Sequence, residues 1–148
     1  MPANLSLKDQ LCFSVYVFYR ELMNAYRPLL DAMDITYTQY IVLLVLWETD
    51  KITVNTLGEK LKLDNGTITP LLKRLEGKNI ITRTRSTEDE RVVIIALTEE
   101  GKALKEKAMC IPQAVFETLD TPFEEVMEFK DSIESLTNNM LQHAHKSA

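Results

Sequence analysis

The sequence predicts a mainly α-helical chain that carries one small β-hairpin. Three observations lead there. Apolar residues recur at intervals of three and four along most of the 148 residues, and Gly and Pro number only 4 and 5. One stretch, Arg91 to Leu97 (Arg-Val-Val-Ile-Ile-Ala-Leu), is instead β-branched and strand-like. A hydrophobic content of 45% and a charged content of 26% suit a soluble globular chain and exclude disordered and fibrous classes. The length fits a single domain spanning 1–148.

From Ser6 onward, Leu7, Leu11, Val15, Phe18 and Leu22 fall on one helical face, with Cys12, Tyr16, Tyr19, Met23 and Tyr26 beside them. So wide an apolar face predicts a helix buried on more than one side, with Tyr16 in the core, and Ser6 with Asp9 reads as a weak capping box. A second helix is expected over Thr38 to Glu48, with Thr38 as its cap and Tyr40 as a core aromatic. Thr53 can cap a short helix from Val54 to Leu61. Another short helix ends near Lys78 and turns Ile68, Leu71, Leu72 and Leu75 inward. Pro70 leaves its start open between Asn65 and a cap at Thr67, because proline fits a first turn best. Ile80 to Ser86 alternates and pairs with Arg91 to Leu97 as a hairpin with a charged tip. Thr98 caps a helix carrying Leu104, Ala108, Ile111 and Val115, interrupted by Pro112. The last helix follows Thr121-Pro122, and Val126, Phe129, Ile133, Leu136 and Met140 repeat at three and four, the seam of a helix packed along another helix.

Several classes drop out. The longest apolar run, Tyr40 to Trp47, is far shorter than the roughly 20 residues a bilayer span needs, so no membrane partner is expected. Met-Pro-Ala-Asn-Leu-Ser lacks a basic segment followed by an apolar one, so no signal peptide is expected. The 2 cysteines, Cys12 and Cys110, then point to a reducing cytoplasm. His143 and His145, near the C-terminus and without a cysteine or carboxylate cluster, read as solvated tail residues, and no metal or cofactor is expected. No phosphate-binding glycine loop, His-Glu-x-x-His or nucleophile elbow occurs, so no enzyme is expected.

Charge is unevenly placed. The net charge is −5, yet Lys60 to Arg85 holds seven basic residues against two acidic ones, +5, which leaves −10 elsewhere. Local field outweighs total charge in steering a polyanion. Two short helices with a tight connection and a basic hairpin make a winged helix-turn-helix, whose second helix can enter a DNA major groove about 12 Å wide. Its outward residues would be Asn65, Thr67, Thr69, Lys73 and Arg74, and free N–H groups near Asn65 to Thr67 can hold a phosphate. Arg83, Arg85 and Arg91 would lie on the wing, where an arginine at the tip can enter a narrow minor groove. The acidic set Glu117, Asp120, Glu124, Glu125, Glu128, Asp131 and Glu134 reads as a solvent face kept away from DNA.

The stretch Leu63-Asp64-Asn65-Gly66-Thr67-Ile68-Thr69-Pro70-Leu71-Leu72-Lys73-Arg74-Leu75-Glu76 resembles the recognition segment of MarR-type regulators. Arg85-Ser86-Thr87-Glu88-Asp89-Glu90-Arg91, followed by Leu97-Thr98-Glu99-Glu100-Gly101, is similar to that family's wing signature. The resemblance implies a homodimer formed by terminal helices (6–35 and 99–145), a DNA-binding lobe at 38–98 and double-stranded operator DNA as partner. It makes Arg91 the minor-groove residue, with Asp89 placed to orient it. Gln10-Leu11-Cys12-Phe13, Tyr26-Arg27-Pro28-Leu29-Leu30-Asp31 and Ile35-Thr36-Tyr37-Thr38-Gln39-Tyr40 resemble the organic-peroxide-sensing OhrR branch. There the residue matching Cys12 is the reactive thiol, and those matching Tyr26 and Tyr37 hydrogen-bond it.

The chemistry stands without the name. A thiolate attacks the O–O bond of a hydroperoxide, and the first two turns of a helix favour negative charge. Tyrosine hydroxyls donating to sulfur favour it further, and apolar neighbours admit an apolar organic hydroperoxide. The product sulfenic acid can pass to a disulfide with a low-molecular-weight thiol. Some OhrR-like proteins carry a second, resolving cysteine in the helix after the wing, and that resemblance makes Cys110 the candidate for a two-cysteine switch. Its register matches that role poorly and its neighbours suggest a buried packing position, so a single-cysteine route is the expected one. The main expectation is a redox-sensing regulator, a repressor released when Cys12 is oxidised. The alternatives are a repressor released by a small aromatic ligand and, from another class, a thiol peroxidase.

Overall fold

The most apolar stretch of the sequence forms the central helix of the fold. The computed structural model describes residues 5–146; the leader reading of Met1 to Asn4 and the tail reading of the His145 side chain lie outside what is described. A 3-10 turn over Leu7–Asp9 precedes α1 (Leu11–Asp31), α2 (Tyr37–Glu48), β1 (Ile52–Thr53), α3 (Val54–Leu61) and α4 (Asn65–Gly77). Then follow β2 (Ile81–Arg85), β3 (Val93–Leu97), α5 (Glu99–Ala108), α6 (Ile111–Glu117) and α7 (Phe123–Lys146). The chain up to Pro112 forms one compact unit and the chain from Gln113 a second.

In the first unit α2 is the hub: Tyr40, Val42, Leu43 and Leu46 are buried, and the helix packs against α1, α3, α4 and α5. Its start lies two residues earlier than expected. Thr36, not Thr38, accepts the Gln39 N–H (3.3 Å), while the Gln39 amide oxygen accepts the Thr36 N–H (3.0 Å). This reciprocal capping satisfies two donors that Thr38 would leave open, and it explains why a glutamine is buried. The Ser6–Asp9 capping box does not form; the chain makes a 3-10 turn there, and α1 begins after Gln10 without a side-chain cap.

Thr53 and Thr98 cap α3 and α5 as expected, accepting from Thr56 N–H (3.1 Å) and Gly101 N–H (3.0 Å). Asp64 caps α4, so the helix starts at Asn65 and Pro70 stands inside it. Proline there removes one bond to the carbonyl of Gly66, four residues back, where no side chain adds to the crowding. The turn between α3 and α4 takes Lys62 into the left-handed region (φ 54°). A Cβ on Gly58 would come 2.9 Å from the Leu63 carbonyl oxygen, so only glycine lets the turn fold back so closely.

The hairpin pairs Ile81 with Leu97, Arg83 with Ile95 and Arg85 with Val93. A third strand, β1, absent from the sequence reading, adds Ile52 beside Ile95, giving an antiparallel sheet in the order β1-β3-β2. Two residues are too few for an alternation pattern to register. The helix expected from Thr98 through Val115 is two, broken at Met109–Cys110, with Pro112 in the first turn of α6, where its missing N–H costs nothing.

Two burial expectations fail within the chain. Of α1's residues only Leu30 is buried, and Tyr16 stands 58% exposed rather than in a core. Cys110 is exposed too, its thiol donating weakly to the Lys107 carbonyl (3.5 Å).

Candidate functional site

Two separate sets of candidate residues emerge. The first lies on α4 and the hairpin. Asn65, Thr67, Lys73 and Arg74 are exposed on α4 and Thr69 is half-buried, because Ile68, Leu71, Leu72 and Leu75 turn the opposite face into the core. Asn65 and Thr69 line a cleft of about 290 Å3 together with Thr53, Asn55, Arg83, Arg91 and Val93. Asn55 carries no local sequence signal for this site. It sits in the first turn of α3 on the exposed side, and only the fold shows that this side faces the wing.

The free N–H groups expected at the start of α4 are partly taken. The Asp64 carboxylate accepts the Thr67 N–H at 2.8 Å, and that bond holds the carboxyl below its ordinary range. A negative cap occupies the place where the sequence reading put a phosphate. The three wing arginines also differ. Arg83 shares a row of the sheet with Ile95 and Ile52, so its side chain leaves from the inward face. Its Nη1 reaches Glu76 Oε2 at 3.5 Å, and its Nε is buried without a partner. Arg85 donates to the Glu90 carbonyl at 2.8 Å and so braces the tip. Arg91 is exposed, and among the described residues nothing pairs with its guanidinium. Asp89 acts on it through the backbone, accepting the Arg91 N–H at 2.9 Å, while Ser86 Oγ accepts the N–H of Glu88 (3.2 Å). The tip is therefore a hydrogen-bonded loop that offers one unengaged arginine.

The second set surrounds the thiol. Cys12 is the second residue of α1 and is exposed, flanked by exposed Leu11, Phe13 and Val15. Tyr26 and Tyr37 meet edge to face with centroids 5.1 Å apart, and Tyr40 lies 6.0 Å from Tyr26. Burial pushes the phenols of Tyr26 and Tyr37 upward, and for Tyr37 the neighbouring Tyr26 and Tyr19 add to it. Phenols so shifted stay protonated at neutral pH and remain O–H donors. Within one chain, however, thiol and phenols do not meet. Cys12 and Tyr26 are 14 residues apart on the same helix, which at about 1.5 Å per residue is about 21 Å, several times the reach of a tyrosine.

A tight pair of short helices, a recognition face with exposed amide, hydroxyl and basic groups, and a hairpin ending in a free arginine define a winged helix-turn-helix transcriptional regulator. Residues 24–108 match the family described as "Transcriptional regulator SarA/Rot". The chain is 46% identical over 139 residues to an organic hydroperoxide resistance transcriptional regulator of Bacillus subtilis, covering 94% of this chain and 95% of that one. Among solved structures it resembles reduced, DNA-bound AbfR of Staphylococcus epidermidis with a TM-score of 0.79 at 38% identity, over 92% of this chain and 93% of that one. AbfR has also been solved in overoxidised and disulfide forms. The PcaV regulator of Streptomyces coelicolor, at 20% identity and a TM-score of 0.83, shares the fold. The chain belongs to the MarR/SarA-type transcriptional regulators, in their organic-hydroperoxide-sensing, OhrR-like branch.

Proposed function

We propose that this chain works in the cytoplasm as a homodimer that binds operator DNA through α4 and the wing and loses affinity when Cys12 is oxidised by an organic hydroperoxide. The observation that carries the reading is the setting of Cys12: an exposed thiol in the first turn of a helix, within a strip of exposed apolar side chains. Leu11, Val15, Tyr16 and Tyr19 of that strip are at least half exposed, as is Leu136 on α7. Apolar stripes of this length on long helices call for a second helix surface, and a second copy supplies one. A second copy also supplies what the sulfur lacks. With about 21 Å between thiol and phenol along α1, the Tyr26–Tyr37 pair of one subunit serves the Cys12 of the other.

The reaction balances without a metal. The Cys12 thiolate attacks one peroxide oxygen and the O–O bond breaks. Sulfur becomes a sulfenic acid, and the departing alkoxide takes a proton and leaves as the alcohol. A low-molecular-weight thiol then condenses with the sulfenic acid, releasing water and leaving a mixed disulfide. Tyrosine hydroxyls that donated to a compact anion meet a bulkier neutral sulfur, so they must re-pack. Asn65, Thr67, Thr69, Lys73 and Arg74 face the major groove, Arg91 the minor groove, and Asp89 fixes the backbone that carries Arg91. Arg85 adds positive charge to the interface while bracing the tip, and Arg83, paired with Glu76, braces the inward face of the wing.

The test is operator binding before and after cumene hydroperoxide. Cys12→Ser is expected to bind as the native chain does and to stay bound after treatment; release of that variant by the peroxide removes Cys12 from the sensing role. A second reading, release by a small aromatic ligand, is favoured by an apolar-walled cleft of about 290 Å3 lined by Met23, Tyr26, Arg27, Leu30, Ile35 and Tyr37. It predicts release under reducing conditions from a chain lacking both cysteines. The exposure of Cys110 allows a two-cysteine switch, which a disulfide-linked dimer on a non-reducing gel would reveal.

A further inference from the structure

The tyrosine cluster does not end at the residues that serve the thiol. Tyr40 touches both Tyr26 and Tyr37 (6.0 and 6.5 Å between centroids), and on its other side it meets the Trp47 ring edge to face at 6.3 Å. Trp47 is the only tryptophan of the chain. Its indole N–H donates to the Gly101 carbonyl at 2.9 Å, across 54 residues of sequence. Two further bonds join the same ends: Lys105 Nζ donates to the Trp47 carbonyl (3.2 Å), and the Leu97 N–H donates to Asp50 Oδ1 (2.9 Å).

Gly101 in turn presses on the root of the wing. A Cβ there would fall 2.1 Å from the Ile80 carbonyl oxygen. Thr98, the cap of α5, donates from its hydroxyl to the Asn79 carbonyl (2.7 Å) and from its N–H to the Ile80 carbonyl (3.1 Å). Asn79 and Ile80 are the last two of the three residues between α4 and strand β2. An unbroken series of contacts therefore runs from the sensing phenols to the hinge between recognition helix and wing.

We infer that Trp47 is the positioning residue that couples the sensor to the DNA-binding lobe: the Tyr26–Tyr37–Tyr40 packing sets the indole, and the indole N–H sets Gly101 and the wing root. The inference rests on the proposed role of Cys12 and its phenols. Lateral movement of Tyr40 that carries the indole along also carries its partner carbonyl, and this re-aims β2 relative to α4 because Gly101 has no free space on the Ile80 side. Without the indole N–H the same movement leaves α5 and the wing root where they are. The coupling is physical, one directional hydrogen bond between two packed surfaces, and is testable as a coupling.

The experiment compares the native dimer, Trp47→Phe and a chain in which Trp47 is replaced by its benzothiophene isostere, which keeps the ring shape and lacks the N–H. For each, operator affinity is measured by fluorescence anisotropy, reduced and after cumene hydroperoxide, and the rate of Cys12 sulfenic acid formation by dimedone trapping. The isostere guards against a phenylalanine that underfills the site and unfolds the lobe. Reduced-state affinity within about twofold of native, an unchanged oxidation rate and a ratio of reduced to oxidised affinity at least about fivefold smaller, the worth of one net hydrogen bond, are expected. A native-like ratio in the isostere overturns the inference while leaving the thiol reading intact. A native chain that keeps its full affinity after Cys12 is oxidised overturns both. In the native chain the tryptophan emission is also expected to shift on oxidation, and a constant spectrum in a dimer that releases DNA overturns the coupling.

Discussion

Arg83 and Arg91 differ in role, one in strand β2 and the other in the turn before β3. Both are basic and both sit on the wing, yet Arg83 shares a row with Ile95 and spends its charge on Glu76, whereas Arg91 stands free at the tip. Arg91→Ala is therefore expected to cost on the order of 1–3 kcal/mol of operator binding, with dimer mass and melting temperature unchanged, as titration at fixed salt would show. Arg83→Ala is expected to lower the melting temperature as well, since its stem fills the inward face of the sheet. At the same scale, burial pushes the Tyr40 phenol up from 10.0 to about 12, with the neighbouring Tyr26, Tyr37 and Cys110 adding to the shift. A raised folded value means that this stability is fully present below pH 10 and is lost as pH climbs through about 12. Chemical denaturation from pH 8 to 12 should show the loss, and Tyr40→Phe should flatten it; an unchanged slope would place the ionising group elsewhere.

Helix starts decide the geometry at the scale of elements. Thr36, Thr53, Asp64 and Thr98 each cap a helix, and the caps fix where α2, α3, α4 and α5 leave the preceding turn. Thr98 does more than cap, because its hydroxyl also holds the Asn79 carbonyl. Thr98→Ala is expected to cost about 0.5–2 kcal/mol for the cap alone, and more with the lost bond to the wing root; differential scanning calorimetry gives the value. Gly101→Ala is the harsher change. Its Cβ would overlap the Ile80 carbonyl, so α5 and β2 must separate, and the expected result is a chain that folds poorly or binds operator weakly even when reduced. A stable Gly101→Ala chain with native affinity would show that this junction tolerates movement.

For the molecule as a whole, the uncovered apolar residues of α1 and α7 set the expectation of a second copy. Leu11 is 69% exposed and Met140 74%, values that suit an interface better than a solvated surface. Sedimentation equilibrium should give twice the chain mass of 17.0 kDa. Ile133→Asp on α7 should shift the equilibrium toward monomer and weaken operator binding together, because paired half-sites need paired lobes. A monomeric native chain that binds operator tightly would refute that link.

The hairpin, the capped helix after it and the buried face of α4 were legible in the sequence because each is a local pattern: alternation over Ile80 to Ser86 beside the β-branched run Arg91 to Leu97, Thr98 before Glu99, and Ile68, Leu71, Leu72 and Leu75 at helical spacing. The class of regulator and the candidate thiol were legible for a related reason, since short motifs carry their residues in fixed register. Misreadings had two sources, a reciprocal cap three residues long and a partner far along the chain. Thr38 lost the cap to Thr36 because Gln39 reaches back, and β1 exists only because Ile95 offers a ladder. The apolar face of α1 promised burial, but of that helix's residues only Leu30 is buried. By itself the sequence determined which residues must leave water and which carry charge or sulfur. Only the tertiary structure decided which of them meet, placing Trp47 on Gly101 and Arg83 against Glu76, and keeping Cys12 far from the phenols of its own chain, because a contact between distant residues is a property of packing and leaves no local trace.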